Sequence, residues 1–271
     1  MEIFIWIISG ILAFTILITL VYIFFFLRPR KKKDIDKALL CEYAHRGLHS
    51  DTVPENSLGA FELACRAGYG IELDVQLSED GQVMVFHDAT LDRMTGVHAH
   101  LHDLKCKELQ ELKLAGTCEK IPTFSHVLKL VDGRVPLLVE LKGETFDTAL
   151  CEKVAELLTE YKGPYCIESF NPLLLHGIGK KLPESTRGIL YTNVCREKRK
   201  HDVIHIALTL MAFNFVAKPS FIAFDKKDRN SLPVRLTTKF FKAPKFVWTI
   251  RGEGELKTAR DNGELAIFER L

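Results

Sequence analysis

The chain has 271 residues, 47% hydrophobic and 27% charged, with a formal net charge of +2. That length suits one large domain or two small ones with a well-buried core, in an ordinary globular balance. The weak net charge, without a long basic stripe interleaved with aromatics, argues against nucleic-acid binding. Seven scattered cysteines (Cys41, Cys65, Cys106, Cys118, Cys151, Cys166 and Cys195) contain no CxxC pair. This argues against a zinc knuckle, a redox motif or a disulfide framework, and it suits a reducing compartment.

Residues 3–27 are almost unbroken in apolar character, interrupted by Ser9, Thr15 and Thr19. As a helix they span roughly 37 Å at ~1.5 Å per residue, more than the ~30 Å hydrocarbon layer. Trp6 and Tyr22 lie near the ends, where aromatic anchors occur. Arg28-Pro29-Arg30-Lys31-Lys32-Lys33 follows, while the other flank carries only Glu2. Residues 1–33 therefore read as a single-pass membrane anchor with a basic flank. The positive-inside rule puts the remainder in the cytoplasm. A cleaved signal peptide would need a basic start and a shorter apolar core. The basic cluster also suits an anionic leaflet, although a stop-transfer role is sufficient.

Residues 34–39 read as a tether, and residues 40–271 as one domain. Strand candidates are 40–44, 70–75, 82–86, 135–141, 165–169, 187–191, 221–224, 246–250 and 265–268. Helical patterns lie at 57–67, 146–161 and 172–180. Residues 196–218 follow no clear period. Strand and helix in alternation imply a parallel sheet covered by helices. Residues 41–271, 231 in number, match a TIM (β/α)8 barrel of ~250 residues. A doubly wound open sheet is the alternative, without a glycine-rich nucleotide turn to favour it.

Reactive groups of such a barrel sit at the carboxyl ends of its strands. Those positions hold His45-Arg46-Gly47, Glu72 and Asp74, His87-Asp88, Glu140 and Lys142, Glu168-Ser169, and Trp248. Residues i and i+2 of a strand share a face, so Glu72 pairs with Asp74 and Glu140 with Lys142. Three carboxylates converging at the mouth need a counter-charge. A divalent cation with oxygen ligands, Mg²⁺ or Ca²⁺, supplies it. The alternative is that the acids pair with Arg46 and Lys142. His45 and His87 suit general acid–base work, one on the nucleophile and one on the leaving alkoxide. Arg46 and Lys142 can hold phosphate oxygens. The alternating His98, His100 and His102 read as a solvated loop rather than a second metal site.

The ordered set His45-Arg46-Gly47, Pro54-Glu55-Asn56-Ser57, 70–75, Asp80-Gly81-Gln82-Val83, His87-Asp88, Glu140-Leu141-Lys142 and Val247-Trp248-Thr249 resembles the glycerophosphodiester phosphodiesterase family. The resemblance covers residues 41–271. It implies a TIM-barrel phosphodiesterase with His45 and His87 as the acid–base pair. It implies Glu72, Asp74 and Glu140 as ligands of calcium or magnesium, Arg46 and Lys142 at the phosphate, and Glu55 and Asn56 around metal and substrate. Phe170 and Trp248 would line the pocket, and residues 88–134 would be a short lid beside the mouth. Asn56 also suits a helix N-cap, and Trp248 and Phe170 also suit barrel packing. Three positions depart from the family pattern: Ser57 replaces a threonine, Arg251 an asparagine, and Glu269 ends a last strand that usually ends in aspartate.

The resemblance implies metal-dependent hydrolysis of glycerophosphodiesters to an alcohol and sn-glycerol 3-phosphate. An anchored enzyme could instead be a lysophospholipase D at the membrane surface. A non-catalytic barrel that binds headgroups, or a phospholipase C forming a cyclic phosphate, are further alternatives.

Overall fold

The computed structural model describes residues 1–30, 35–143 and 148–269. Lys31 to Lys33 of the basic flank and the expected start of a helix at residue 146 lie outside the described residues. Nine strands are present among the described residues: β1 (Tyr43–Ala44), β2 (Gly70–Leu77), β3 (Val83–Val85), β4 (Leu137–Leu141), β5 (Tyr165–Ser169), β6 (Thr186–Tyr191), β7 (Phe221–Asp225), β8 (Lys245–Arg251) and β9 (Leu265–Glu269). Eight of them run parallel in the order β1-β9-β8-β7-β6-β5-β4-β2, and β1 pairs with β2 to close the ring. Helices at Leu58–Ala67, Phe124–Val131, Thr148–Glu160, Pro172–Lys181 and Gly252–Asp261 supply crossovers. The closed eight-stranded parallel barrel is the expected TIM architecture, and the open-sheet alternative falls away.

One expected strand is not part of the ring. Residues 82–86 form β3, which turns back antiparallel on β2, with Val75 opposite Val85. An Asp80-Gly81 turn permits only this short reversal, whereas a parallel neighbour needs a long crossover. His87 thus reaches the mouth from a hairpin arm rather than from a barrel strand.

The register sorts the interior into layers. Glu72 lies opposite Leu138, and Leu138 opposite Cys166; one step higher, Asp74 faces Glu140 and Glu140 faces Glu168. The floor is apolar: Leu39, Tyr43, Leu138, Cys166, Phe221, Phe246 and Ile267 pack together inside the barrel. Gly188 makes room for this plug, because a Cβ there would lie 2.0 Å from the Phe221 ring. The other face of each strand packs outward: Ile71, Leu73, Val75, Leu137, Val139 and Ile167 join helix residues such as Phe61, Val127 and Val154 in the main core. Each such side chain contributes about 1.5–3 kcal/mol of burial. Part of the expected tether is built into the floor. Asp36 caps the turn Lys37–Leu39 by accepting from Ala38 N at 2.9 Å, and Leu39 is buried.

Beside the mouth, Met84, Phe86, Leu91, Met94, Leu101, Leu109, Leu114 and Ile121 form a separate small core. The helix Phe124–Val131, inside the 88–134 stretch read as a lid, instead packs its apolar face on the barrel core. His98, His100 and His102 are exposed in this region, with the last two rings stacked at 5.2 Å.

At the amino end, Glu2–Val21 is a helix with no buried residue. It continues through a wide turn, Tyr22–Leu27, whose last residue is fully buried against the barrel. Glu2–Leu27 is long and apolar enough to cross a membrane. The unperiodic segment after β6 resolves into three short helices, Val194–Lys198, Val203–Thr209 and Asn214–Ala217.

Candidate active site

β1 ends at Ala44, and His45 extends its ladder by donating its N–H to Phe268 O at 2.9 Å. The chain then turns sharply: Arg46 sits at φ +56 and Gly47 at φ +83. A Cβ on Gly47 would lie 2.8 Å from Ala60 Cβ, so only glycine lets the turn rest on the following helix. The left-handed Arg46 conformation is costly for a non-glycine residue, of order 1–3 kcal/mol, and such strain collects at functional sites. It is held by Glu72 Oε2, which accepts the Arg46 N–H at 2.9 Å, and by the Asn56 N–H donating to Arg46 O at 2.9 Å.

Asn56 is not the helix cap. Ser57 takes that role, its Oγ accepting from Ala60 N at 3.1 Å. Asn56, at φ +53, instead donates from Nδ2 to Asp74 Oδ2 at 2.8 Å. Asparagine tolerates the left-handed region, which frees its amide to reach the barrel interior.

Glu72, Asp74 and Glu140 each offer an oxygen within 4.8 Å of the others, and all three are buried. Asp74 receives Lys142 Nζ at 3.0 Å and Arg46 Nε at 3.4 Å; Glu140 receives Lys142 Nζ at 2.8 Å. The alternative of simple ion pairing therefore accounts for Asp74 and part of Glu140. Burial opposes charge on Asp74, yet Lys142 and Arg46 hold its carboxyl well below the usual range. The same balance pushes the Lys142 ammonium up. Ion pairing does not account for the rest. Burial, then Asp74, Glu140 and Glu168, push the Glu72 carboxyl well above its usual range. Glu140 rises to about 7, chiefly through burial. Glu168 lies on the same interior face, is also pushed well up by burial and by Glu140, and keeps a buried Oε2 without a hydrogen-bond partner among the described residues. Four carboxylates thus meet the charges of Lys142 and Arg46. An excess of hard, convergent oxygens could hold a metal cation.

Each histidine is held from behind by a carboxylate. His45 Nδ1 bonds Glu269 Oε1, and Glu269 Oε2 accepts from Arg251 at 2.8 and 3.0 Å. His87 Nδ1 bonds Asp88 Oδ1 at 2.6 Å, and Asp88 Oδ2 accepts from Arg93 Nε at 2.6 Å. A carboxylate only accepts, so both Nδ1 atoms carry the proton and both Nε2 atoms are left for the pocket. His45 Nε2 lies 3.8 Å from Glu72. Burial is the main cause lowering the His87 pKa. Glu55 joins the two halves: Arg46 donates to it at 2.7 Å, and Arg93 at 2.7 and 3.0 Å. Burial opposes its charge, but the two guanidinium groups hold its carboxyl down.

These groups enclose a pocket of ≈ 420 Å³ of open space, lined among others by His45, Arg46, Glu72, His87, Glu140, Lys142 and Glu168. Phe170 and Trp248 form one wall, edge to face at 5.7 Å. Trp248 Nε1 is buried without a hydrogen-bond partner among the described residues, which leaves a donor for a ligand. Asp74, Glu55 and Asn56 stand behind the lining. All the residues singled out in the sequence are thereby brought to one end of the barrel.

Glu168, already placed at a strand end, Glu269 and Arg251, already noted as departures from the family pattern, and Arg93 also belong to the arrangement. Glu269 follows Leu265 and Ile267 at i+2 spacing on an inward-facing strand end, so alternation could have marked it. Glu168 carries the same signal, two residues after Cys166. Arg93 and Arg251 reach the site from the one-turn helix Asp92–Thr95 and from a strand tip, and no periodicity announces them.

The chain matches the glycerophosphoryl diester phosphodiesterase family over residues 45–268. A glycerophosphodiester phosphodiesterase of Caldanaerobacter subterraneus subsp. tengcongensis is 37% identical over 198 residues, covering 68% of this chain and 80% of the relative. A lysophospholipase D of Rattus norvegicus is 33% identical, over 50% of this chain and 45% of its own. Among solved structures, a glycerophosphodiester phosphodiesterase from Thermotoga maritima aligns with a TM-score of 0.65 at 26% identity, covering 84% of this chain and 94% of the other. An Oleispira antarctica phosphodiesterase, solved with the product sn-glycerol-3-phosphate, aligns at 0.70 with 24% identity, over 84% and 92% of the two chains.

Proposed function

Because the chain belongs to the glycerophosphoryl diester phosphodiesterase family and is a glycerophosphodiester phosphodiesterase, we propose that it hydrolyses glycerophosphodiesters to an alcohol and sn-glycerol 3-phosphate with His45 and His87 as its acid–base pair. The observation that carries this reading is the pair of imidazoles. Each is fixed at Nδ1 by a carboxylate, and each lines the pocket that holds the acidic cluster. One Nε2, unprotonated, takes a proton from the attacking water, and the other histidine, as an imidazolium that carries a proton on Nε2 as well as on Nδ1, gives that proton to the leaving alkoxide. Arg46 and Lys142 bind phosphate oxygens with N–H groups not used on Glu55, Asp74 and Glu140. Glu72, Asp74 and Glu140 would hold one Mg²⁺ or Ca²⁺. When bound, such an ion would act as a Lewis acid on the phosphate and offset its charge. Glu55 and Asn56 fix Arg46 and Asp74, while Phe170 and Trp248 pack against the substrate. Residues 88–123, tied to the mouth by Arg93, would shield it from water.

A lysophospholipid substrate is the second reading. The exposed edge of the Phe170–Trp248 wall favours it, because Phe170, 40% exposed, extends apolar surface from the pocket outward. Residues 1–33 would then anchor the enzyme beside its substrate.

Phosphorus NMR of the purified chain with glycerophosphodiesters and lysophospholipids, with and without EDTA, tests the proposal. Turnover is expected to vanish with EDTA and to fall roughly 10²–10⁴-fold in His45→Ala and His87→Ala. Unchanged conversion by His45→Ala or Glu72→Ala would end it.

A further inference from the structure

The N-terminal helix leaves the barrel at a defined end. Tyr22 Oη donates to Leu210 O at 2.9 Å, within the crossover that follows the carboxyl end of β6. Asn214 Nδ2 donates to Leu27 O at 2.9 Å. Arg30 N donates to Pro219 O at 2.8 Å, and its guanidinium to Pro183 O at 2.8 Å, just ahead of the amino ends of β7 and β6. Residues 22–30 therefore descend the barrel wall from mouth to floor. Glu2–Val21 extends from the upper end of this stretch, on the mouth side, for about 30 Å at 1.5 Å per residue. A helix apolar on all sides and unburied over its whole length finds its solvent in lipid.

The same sector of the mouth is apolar and exposed. Phe170 and Leu173 follow β5, Val203, Ile204 and Leu210 follow β6, and Leu232 follows β7. Val203 is 82% exposed and Ile204 63%, values rare for such side chains in water. Arg199 and Lys200, both exposed, lie just before them, separated from Val203 by the exposed His201 and Asp202. Apolar tips beside cations are the composition of a segment lying in a headgroup layer.

We infer that the bilayer crossed by the helix lies against the open end of the barrel, and that the 199–210 segment beds on its anionic surface, so that the pocket opens toward the leaflet. This rests on the phosphodiesterase reading of the pocket. It places the lipid boundary at the loops after β5, β6 and β7. Arg30, by contrast, lies toward the floor and serves the barrel. A glycerophosphodiester that keeps an acyl chain then reaches the pocket from the leaflet, along the Phe170 edge.

The test uses the full chain in vesicles of phosphatidylcholine and phosphatidylglycerol with brominated acyl chains. Quenching of Trp6 in the parent chain reports insertion of the helix. Ile204→Trp is expected to add quenched fluorescence, whereas Lys162→Trp, exposed at the floor ahead of β5, adds unquenched fluorescence. Quenching of the floor reporter, or of neither, overturns the orientation. In the activity arm, Val203→Asp with Ile204→Asp is expected to lower hydrolysis of vesicle-borne lysophosphatidylethanolamine roughly tenfold or more. Its hydrolysis of water-soluble glycerophosphoethanolamine should stay at the parent rate. Equal rates of parent and variant on both substrates would count against the docking surface. A parent chain that cleaves neither substrate while the quenching pattern holds would instead sink the phosphodiesterase reading alone.

Discussion

At the scale of single residues, two departures from the family pattern explain each other. Arg251 and Glu269 form an ion pair at 2.8 Å, and Glu269 also fixes His45. A carboxylate that holds an imidazole in one tautomer acts on turnover more than on binding. Glu269→Gln is therefore expected to lower kcat roughly 10–100-fold, with KM little changed, in steady-state kinetics on a soluble glycerophosphodiester. Glu269→Asp should restore part of the loss, and Arg251→Ala should cost less than Glu269→Gln. The same contacts have a pH signature. Burial opposes ionisation of Glu269, but His45 and then Arg251 lower its pKa from 4.5 to about 2. A depressed carboxyl stabilises the fold above its unfolded value, and that contribution fades as pH falls from about 4.5 through about 2. Urea midpoints of the parent and Glu269→Gln should thus differ at pH 6 and converge toward pH 2; a constant gap would refute the linkage.

At the scale of elements, neighbouring positions separate fold from chemistry. Ser57 caps the helix Leu58–Ala67, so Ser57→Ala should cost ~1 kcal/mol in urea unfolding and leave turnover near the parent value. Asn56→Ala should do the reverse, since Asn56 is spent on Asp74 rather than on the helix. The floor plug gives a purely structural contrast. Gly188→Ala drives a methyl into the Phe221 ring and should destabilise by about 1–3 kcal/mol or more, measured by thermal or urea melting. The β2–β3 hairpin shows why element type is easier to read than partner. Residues 82–86 have strand composition, yet an Asp80-Gly81 turn leaves no length for a parallel crossover.

At the scale of the whole molecule, the apolar N-terminal segment is divided between two surroundings. Residues 2–21 bury no side chain, whereas Leu27 is enclosed by the core. A chain beginning at Tyr22 should fold with an unchanged urea midpoint and no longer sediment with vesicles. Leu27→Ala in that shorter chain should cost about 2–5 kcal/mol, as a buried leucine does. Loss of folding on removal of residues 1–21 would contradict this division. The small core around Phe86, Leu91 and Leu114 similarly marks residues 88–121 as a unit of their own beside the barrel.

Local pattern alone determined the alternation of strands and helices, the apolar helix, and which side chains stand at strand ends, and it left barrel and open sheet as alternatives. Each of these follows from periods of two and 3.6 and from glycine turns, which neighbours in sequence control. His45, Glu72, Asp74, His87 and Glu140 were legible for that reason. Contacts between distant segments were decided only by the tertiary structure. The grip of Glu269 on His45 spans 224 residues and depends on β9 closing against β1. The descent of residues 22–30 along the wall depends on crossover loops whose short helices carry too few turns to show a period. Such contacts depend on closure of the ring, a property of all eight strands together that no single stretch of sequence encodes.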